Sequence, residues 1–278
     1  MHYAINTPNF GIYSDIRMMA ELAHEAEEAG WDGFFIWDHI GGGPEWAVPV
    51  ADPLVTLTAI AMRTQRLKIG PIVTPLPRVN PWKLAREMTS LDHLSQGRMI
   101  LGVGIGSDSG REYSAFGGSP DDKVHGEMLD EGLTVLTKLW SGEAFDYKGC
   151  YYTLNNACFS PVPLQKPRIP IWVAGVWPNK KPFRRAAKWD GVCPMALDHE
   201  LSPAEYRELL AYIKQYRHGE GEFAVLAAGH TTGTEKDQEI IQPFVAAGVT
   251  WWQESFDWNY SFDDVRARIR QGPPSYQA

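Results

Sequence analysis

An adjacent aspartate and histidine, Asp38 and His39, end a short apolar run and precede a loop that contains three consecutive glycines. An imidazole in such a place can donate or accept a proton near neutral pH, and a neighbouring carboxylate can fix its orientation. The alternative is an aspartate that caps the loop backbone beside an exposed histidine. We expect His39 to transfer a proton and Asp38 to orient it.

A second candidate site is the run 102–107, which reads Gly-Val-Gly-Ile-Gly-Ser. Alternating glycines leave a strand surface without side chains, which a planar ring can approach closely. A dinucleotide fingerprint would need glycine where Ser109 stands, and no helix begins there. Glycines that only ease packing at the rim of a barrel are the remaining alternative.

The apolar pattern around these candidates alternates between short strands and amphipathic helices. Asn80 and Pro81 predict the start of one helix and Gly97 its end, and Ser202 with Glu205 forms the capping box of another. About eight strand–helix units follow one another, the number that a closed barrel requires. The sequence therefore predicts an α/β fold, a (β/α)8 TIM barrel.

The barrel is expected to form one domain over residues 1–278. Residues from about 143 to 170 interrupt the alternation with a predicted small hairpin between units four and five. The tail from about 272 to 278 is expected to be mobile. The hairpin and the loop 41–50 are the segments that we expect to cover a substrate.

Bulk composition excludes several functions. The net charge is −8 without a basic run, which argues against nucleic acid as a partner. No apolar run approaches the ~20 residues of a membrane span, and we expect no signal peptide before the first strand. Sparse, unpaired cysteines fit a cytoplasmic protein. A catalytic metal is not expected, because the first strand carries a single histidine, His2, where metal-dependent barrel hydrolases alternate two.

Several motifs occur in an order that resembles the luciferase-like monooxygenase family, over roughly residues 1–200. They are Phe35–His39, Asn80–Pro81, Ser90–Arg98, Gly102–Gly106, Glu131–Gly132, Leu139–Gly142, Gln165–Pro167, Pro170–Gly175 and Trp189–Gly191. Each motif alone is weak, and their succession carries the resemblance.

The resemblance implies a flavin or the deazaflavin coenzyme F420 at the carboxyl ends of the strands. It also implies a homodimer, and a non-prolyl cis peptide at Pro71–Ile72 that bulges against the central ring. The sugar-phosphate dehydrogenases of the family carry a catalytic glutamate where Ser107 stands, which argues against that reaction. The implied cofactor-binding residues are Pro71, Ile72, Val73, Gly104, Ile105, Gly106, Ser107, Ala174, Gly175, Val176 and Trp177.

The choice between F420 and FMN depends on the segment after the fifth strand, which resembles the deazaflavin branch and favours F420. Four basic residues there, Lys180, Lys181, Arg184 and Arg185, can neutralise a cofactor phosphate or simply form a solvated helix face. The predicted reaction is two-electron hydride transfer to or from a small organic substrate. An FMN-dependent monooxygenase that uses O2, and a barrel that binds a flavin without catalysis, are the alternatives.

Overall fold

The computed structural model of the protein describes residues 1–44, 46–219, 221–234 and 236–274, and it is built around parallel strands. In chain order the strands are β1 (His2–Thr7), β2 (Gly33–Ile36), β3 (Lys68–Pro71), β4 (Thr74–Pro75), β5 (Leu101–Gly104), β6 (Phe145–Lys148), β7 (Thr153–Ala157), β8 (Ile171–Val176), β9 (Gly191–Met195), β10 (Ala224–Gly229) and β11 (Trp251–Ser255).

Nine of these strands form one parallel sheet in the order β3-β2-β1-β11-β10-β9-β8-β5-β4. β3 and β4 are two parts of one barrel strand, so the nine strands occupy eight positions. A parallel bridge between Ile69 and Met99 joins the two ends of the sheet. The predicted (β/α)8 barrel is confirmed.

Within the described residues, eight α-helices surround the barrel: α1 (Ile16–Glu28), α2 (Pro53–Arg63), α3 (Pro81–Leu94), α4 (Asp122–Ser141), α5 (Lys180–Ala186), α6 (Pro203–Lys214), α7 (Asp237–Ala246) and α8 (Phe262–Arg270). Both predicted caps are present. The Asn80 side chain accepts from two backbone N–H groups, and Ser202 and Glu205 form the complete capping box. Among the described helices, none is both long and apolar enough to cross a membrane.

Large rings fill the centre of the barrel. The Trp172 ring centroid lies 5.6 Å from that of Phe35 and 5.3 Å from that of Trp251. Ala4, Ile100 and Leu226 belong to the same buried cluster. Because side chains alternate along a strand, residues two positions further along project into the barrel one layer higher. The packed centre therefore forms a floor beneath the carboxyl ends of the strands.

The predicted insertion is an antiparallel hairpin of β6 and β7 between α4 and β8. It packs on the outer surface of α4, where the Glu131 carboxylate accepts from the N–H groups of Cys150 and Tyr151 at 2.7 and 3.0 Å. The hairpin is therefore attached to the helical layer.

The tail predicted to be mobile begins at Gly272, which is buried and whose carbonyl oxygen accepts from the Arg268 guanidinium at 2.8 Å. Residues 275–278 of that tail lie outside the described residues.

Candidate active site

A cavity of about 420 Å³ opens at the carboxyl ends of the barrel strands, above the aromatic floor. Every barrel strand or the loop after it contributes, which is the usual location of an active site in this fold. Its lining residues are Asn6, Trp37, Asp38, His39, Trp46, Ile72, Val73, Pro75, Gly106, Ser107, Ser109, Gly110, Glu112, Ala174, Cys193, Pro194, Met195, Leu226, Ala228, Gln253 and Ser255.

Seven of the residues predicted from the sequence line this cavity: Asp38, His39, Ile72, Val73, Gly106, Ser107 and Ala174. Six others do not: Pro71, Gly104, Ile105, Gly175, Val176 and Trp177. The structure thus brings together predicted residues from the ends of the second, third and fourth barrel strands, which are β2, β3–β4 and β5. Only one predicted residue, Ala174, comes from the fifth barrel strand, β8.

The non-prolyl cis peptide joins Ile72 to Val73, so the predicted position, Pro71–Ile72, is wrong by one bond. The predicted bond still belongs to the barrel ladder, because the Ile72 N–H donates to the Ile36 carbonyl at 2.8 Å. The strand is interrupted only after this hydrogen bond, where Ile72 and Val73 border the cavity.

The glycines of β5 make room for this interruption. A Cβ at Gly102 would lie 2.6 Å from the Pro71 carbonyl oxygen and 2.7 Å from Ile72 Cδ1, and one at Gly104 would lie 3.0 Å from Val73 Cγ2. Both glycines therefore pack against the neighbouring strand. Of the predicted glycine wall, only Gly106 borders the cavity.

The carboxylate that holds His39 is Glu112 and not Asp38, which corrects the predicted pair. Glu112 Oε1 lies 3.2 Å from His39 Nδ1 and accepts from the N–H groups of Ile40 and Gly41 at 2.8 and 3.0 Å. The His39 backbone is fixed separately by the buried side chain of Asn9. The imidazole is therefore held at one nitrogen while its ring borders the cavity.

Asp38 belongs to a buried ion-pair network centred on Arg78. The Arg78 guanidinium donates to the Asp38 carboxylate and, at 2.6 Å, to Glu112 Oε2, while the Thr74 hydroxyl donates to Asp38 at 2.7 Å. Burial raises the pKa of Asp38 in spite of Arg78. Burial also acts to raise the pKa of Glu112, but the hydrogen bond with His39 and the charge of Arg78 bring it below its usual value.

The loop after β5 is folded so that Glu112 points inward. Asp108 Oδ1 accepts from the N–H groups of Tyr113 and Ser114 at 2.8 and 3.0 Å, and the Tyr113 hydroxyl donates to the Ile105 carbonyl at 2.7 Å. These bonds fix the chain on both sides of Glu112. The sequence predicted neither Glu112 nor Arg78 as a site residue, because both lie beyond the strand ends, where this fold usually gathers its functional groups.

Aromatic side chains form one wall of the cavity. The His39 ring centroid lies 5.2 Å from that of Trp46 and 5.9 Å from that of Trp37, and Phe10 packs edge-on against all three. Trp46 belongs to the loop 41–50, which was predicted to cover a substrate and of which residue 45 lies outside the described residues. The hairpin was predicted to share that role, but none of its described residues borders the cavity.

A second depression, of about 870 Å³, adjoins the cavity at the end of β5, where Ile105 borders the depression and Gly106 borders the cavity. Basic and acidic side chains mix along it. They are Lys123, Lys181, Arg184, Arg185, Lys188, Asp122, Glu127 and Asp130.

The four basic residues singled out from the sequence differ in whether their positive charges already interact with other side chains. The Lys180 ammonium stacks on an indole ring, and Arg185 is paired with Asp130 at 2.6 Å. Lys181 and Arg184 border the depression and form no ion pair with a described residue. Across the described chain, no cluster of three or more His, Cys, Asp or Glu side chains is arranged to hold a metal ion.

Comparison with known proteins identifies the family and supports the fold. A family model described as luciferase-like monooxygenase matches residues 2–273. An F420-dependent secondary alcohol dehydrogenase, solved with an F420–acetone adduct, superposes with a TM-score of 0.75 over 97% of this chain and 98% of that one. At 17% identity, that likeness concerns the fold alone.

Two examples represent the curated proteins of similar sequence. The F420-dependent glucose-6-phosphate dehydrogenase of Amycolatopsis mediterranei (strain U-32) is 34% identical over 198 residues, which cover 66% of this chain and 55% of that protein. Limonene 1,2-monooxygenase of Rhodococcus erythropolis is 33% identical over 162 residues, which cover 58% and 39%. The chain thus spans about half the length of the curated relatives it matches.

Proposed function

Because this chain belongs to the luciferase-like monooxygenase family, we propose that it is an F420-dependent oxidoreductase that moves a hydride to or from a small organic substrate. The observation that carries the proposal is an imidazole, His39, held by a buried carboxylate at the edge of a largely apolar cavity. The F420-dependent relative supports the choice of cofactor.

The cavity suits a planar ring. Ile72, Val73, Ala174 and Leu226 give it apolar sides and floor, and Gly106 leaves one edge without a side chain. The adjoining depression offers Lys181 and Arg184 to a phosphate group. Bound F420 supplies the two-electron chemistry, by accepting or giving a hydride.

His39 would transfer the proton that accompanies the hydride. A carboxylate can only accept hydrogen bonds, so Glu112 keeps the imidazole proton on Nδ1 and leaves Nε2 as the free base. When a substrate alcohol is oxidised, His39 Nε2 would accept its O–H proton. When a carbonyl is reduced, the same nitrogen would return a proton to the carbonyl oxygen. Arg78 keeps Glu112 ionised and in place throughout.

Oxygen transfer on reduced FMN is the second candidate, because the limonene monooxygenase is 33% identical against 34% for the dehydrogenase, although over 162 residues against 198. Oxygen consumption that depends on reduced FMN would favour this candidate, whereas anaerobic turnover with reduced F420 favours hydride transfer.

The test replaces His39 by alanine and compares F420 affinity with turnover of reduced F420 on a panel of carbonyls, imines and activated alkenes. We expect kcat to fall by roughly 10²- to 10⁴-fold, as for loss of a general acid–base, with Kd for F420 nearly unchanged. His2→Ala, at the opposite end of the barrel, is the control and should match the unaltered enzyme. An equal loss of affinity and turnover would make His39 a cofactor ligand instead.

We propose in addition a homodimer, from family resemblance alone, and a cytoplasmic location, from the sparse cysteines. Light scattering after size exclusion should then give about twice the chain mass of 31.2 kDa.

A further inference from the structure

Two neutral carboxamides, Asn6 and Gln253, border the cavity from neighbouring strands. β1 and β11 pair in parallel with Ala4 opposite Gln253 and Asn6 opposite Ser255. Ala4 belongs to the central floor, so alternation along β1 directs Asn6 into the barrel one layer higher. Both carboxamides border the cavity.

Their oxygen atoms have no hydrogen-bond donor. Asn6 is 2% exposed and Gln253 5%, and no described group donates to Asn6 Oδ1 or Gln253 Oε1. The Gln253 amide nitrogen already donates to the Ser255 hydroxyl at 3.0 Å, which leaves the oxygen as its free end. Buried polar atoms are nearly always hydrogen-bonded, so a pair without donors beside a cavity points to a ligand that supplies them.

The chemistry of the pair restricts that ligand. The charged carboxylates that border the cavity, Asp38 and Glu112, are both paired with Arg78, whereas the two carboxamides are uncharged and combine acceptors with an amide donor. The ligand that best complements these carboxamides is a ring with an uncharged edge, on which one N–H group lies between two carbonyl groups. Flavins and deazaflavins share such an edge in their dioxopyrimidine ring.

We propose that Asn6 and Gln253 hydrogen-bond the dioxopyrimidine edge of the cofactor ring, with a carboxamide oxygen accepting its N3–H. This inference rests on the proposed function and adds two residues that fix how deeply the ring enters the barrel. Both would act equally on F420 and FMN, because the edge is common to the two.

The test combines a change in the ring with a change in the protein. FMN, F420 and their N3-methyl derivatives are titrated against the unaltered protein, Asn6→Ala and Gln253→Ala, with binding followed by tryptophan quenching. The unaltered protein should bind the N3-methyl rings at least about tenfold more weakly than the parent rings, since methylation removes the donor. Each alanine variant should lose about tenfold in affinity for the parent rings, and the variant that removes the acceptor of the N3–H should also discriminate less against methylation.

Thr7→Val is the matched control. Thr7 neighbours Asn6 on β1, is fully buried with a hydroxyl that lacks a described partner, and does not border the cavity. Its replacement should leave ring affinity unchanged. The methylation arm needs no variant, so it can overturn the inference even if an alanine variant fails to fold.

Two results would overturn the inference. Equal affinity of the unaltered protein for parent and N3-methyl rings would exclude hydrogen bonding at this edge, and so would alanine variants that bind the parent rings normally. Failure of the unaltered protein to bind F420 or FMN would be a different result, because it would overturn the proposed function and the inference together.

Discussion

The imidazole of His39 is held by a carboxylate 73 positions further along the chain. The nearer carboxylate, Asp38, is instead committed to Arg78 and Thr74. Removal of either carboxylate would leave Arg78 partly unpaired in a site from which water is largely excluded. The network therefore links the stability of the site to the protonation state of Glu112.

Replacement of Glu112 by glutamine tests this link through pH. At pH 7 the variant should be less stable by roughly 2–3 kcal/mol, because a charged hydrogen-bonded partner of Arg78 is lost. The folded-state pKa of Glu112 is lowered, so its charge stabilises the protein above the unfolded-state pKa and loses this effect as pH falls through the folded-state pKa.

The measurement is the melting temperature of both proteins between pH 3 and 8. The difference in melting temperature between the two proteins should be largest above about pH 5, and it should shrink below pH 4.5, the usual pKa of a glutamate. Glu143→Gln, which changes an exposed carboxylate, is the control. A difference that stays constant down to pH 3 would contradict the role assigned to the Glu112 charge.

The three cysteines should differ in reactivity. Cys150 and Cys158 are exposed, whereas Cys193 is buried and its thiol pKa is raised by that burial. At pH 8 a disulfide reagent should modify two thiols quickly and the third only after unfolding. Rapid modification of all three thiols in the folded protein would show that Cys193 is open to solvent.

Whether a site residue could be predicted from the sequence depended on its position relative to the barrel strands. Asp38 and His39 were predictable because both follow a strand, where this fold gathers its functional groups. Glu112 and Arg78 were not, because one lies in an irregular loop and the other in a 3-10 turn after β4. Their inward direction depends on tertiary hydrogen bonds that no local pattern encodes.

At the scale of elements, the interruption between β3 and β4 governs the shape of the cavity. Helix bounds followed from caps such as Asn80 and the Ser202 capping box, which are local signals. The non-prolyl cis peptide was predicted one bond too early, because the hydrogen bonds with β2 continue through the Ile72 N–H. Where these hydrogen bonds end depends on the neighbouring strand, which the local sequence does not reveal.

Gly102→Ala tests the fit between β5 and the interrupted strand. Its new Cβ would lie within 2.7 Å of both the Pro71 carbonyl oxygen and Ile72 Cδ1, so Ile72 must shift into the cavity. We expect a loss of about 1–3 kcal/mol in stability and weaker ring binding. Gly221→Ala is the control, because no atom lies within 4 Å of its added Cβ. Unchanged melting and binding in Gly102→Ala would refute the close approach of these strands.

At the scale of the whole molecule, the two ends of the barrel have different tasks. The carboxyl ends carry the cavity, while Arg98 at the amino end of β5 joins neighbouring helices and loops. Its guanidinium donates to the carbonyls of Ala61, Thr64, Leu67 and Ser95 at 2.7–3.0 Å and to the Thr64 hydroxyl at 2.9 Å. This residue stabilises the scaffold without contact with the cavity.

Arg98→Met should therefore separate stability from binding. Loss of several hydrogen bonds from a buried charged group should lower the free energy of unfolding by about 3 kcal/mol or more. Affinity for F420, measured well below the melting temperature, should not change. A variant that melts normally, or one that melts early and also loses affinity, would contradict this division of tasks.

The most direct measurement is a titration of the purified protein with F420 and FMN in parallel. Trp37 and Trp46 border the cavity, so a ring bound there should quench tryptophan fluorescence. The account predicts saturable quenching by F420, and tighter binding of F420 than of FMN. Binding of FMN alone would contradict the choice of cofactor and favour oxygen transfer. Binding of neither would contradict the catalytic assignment itself.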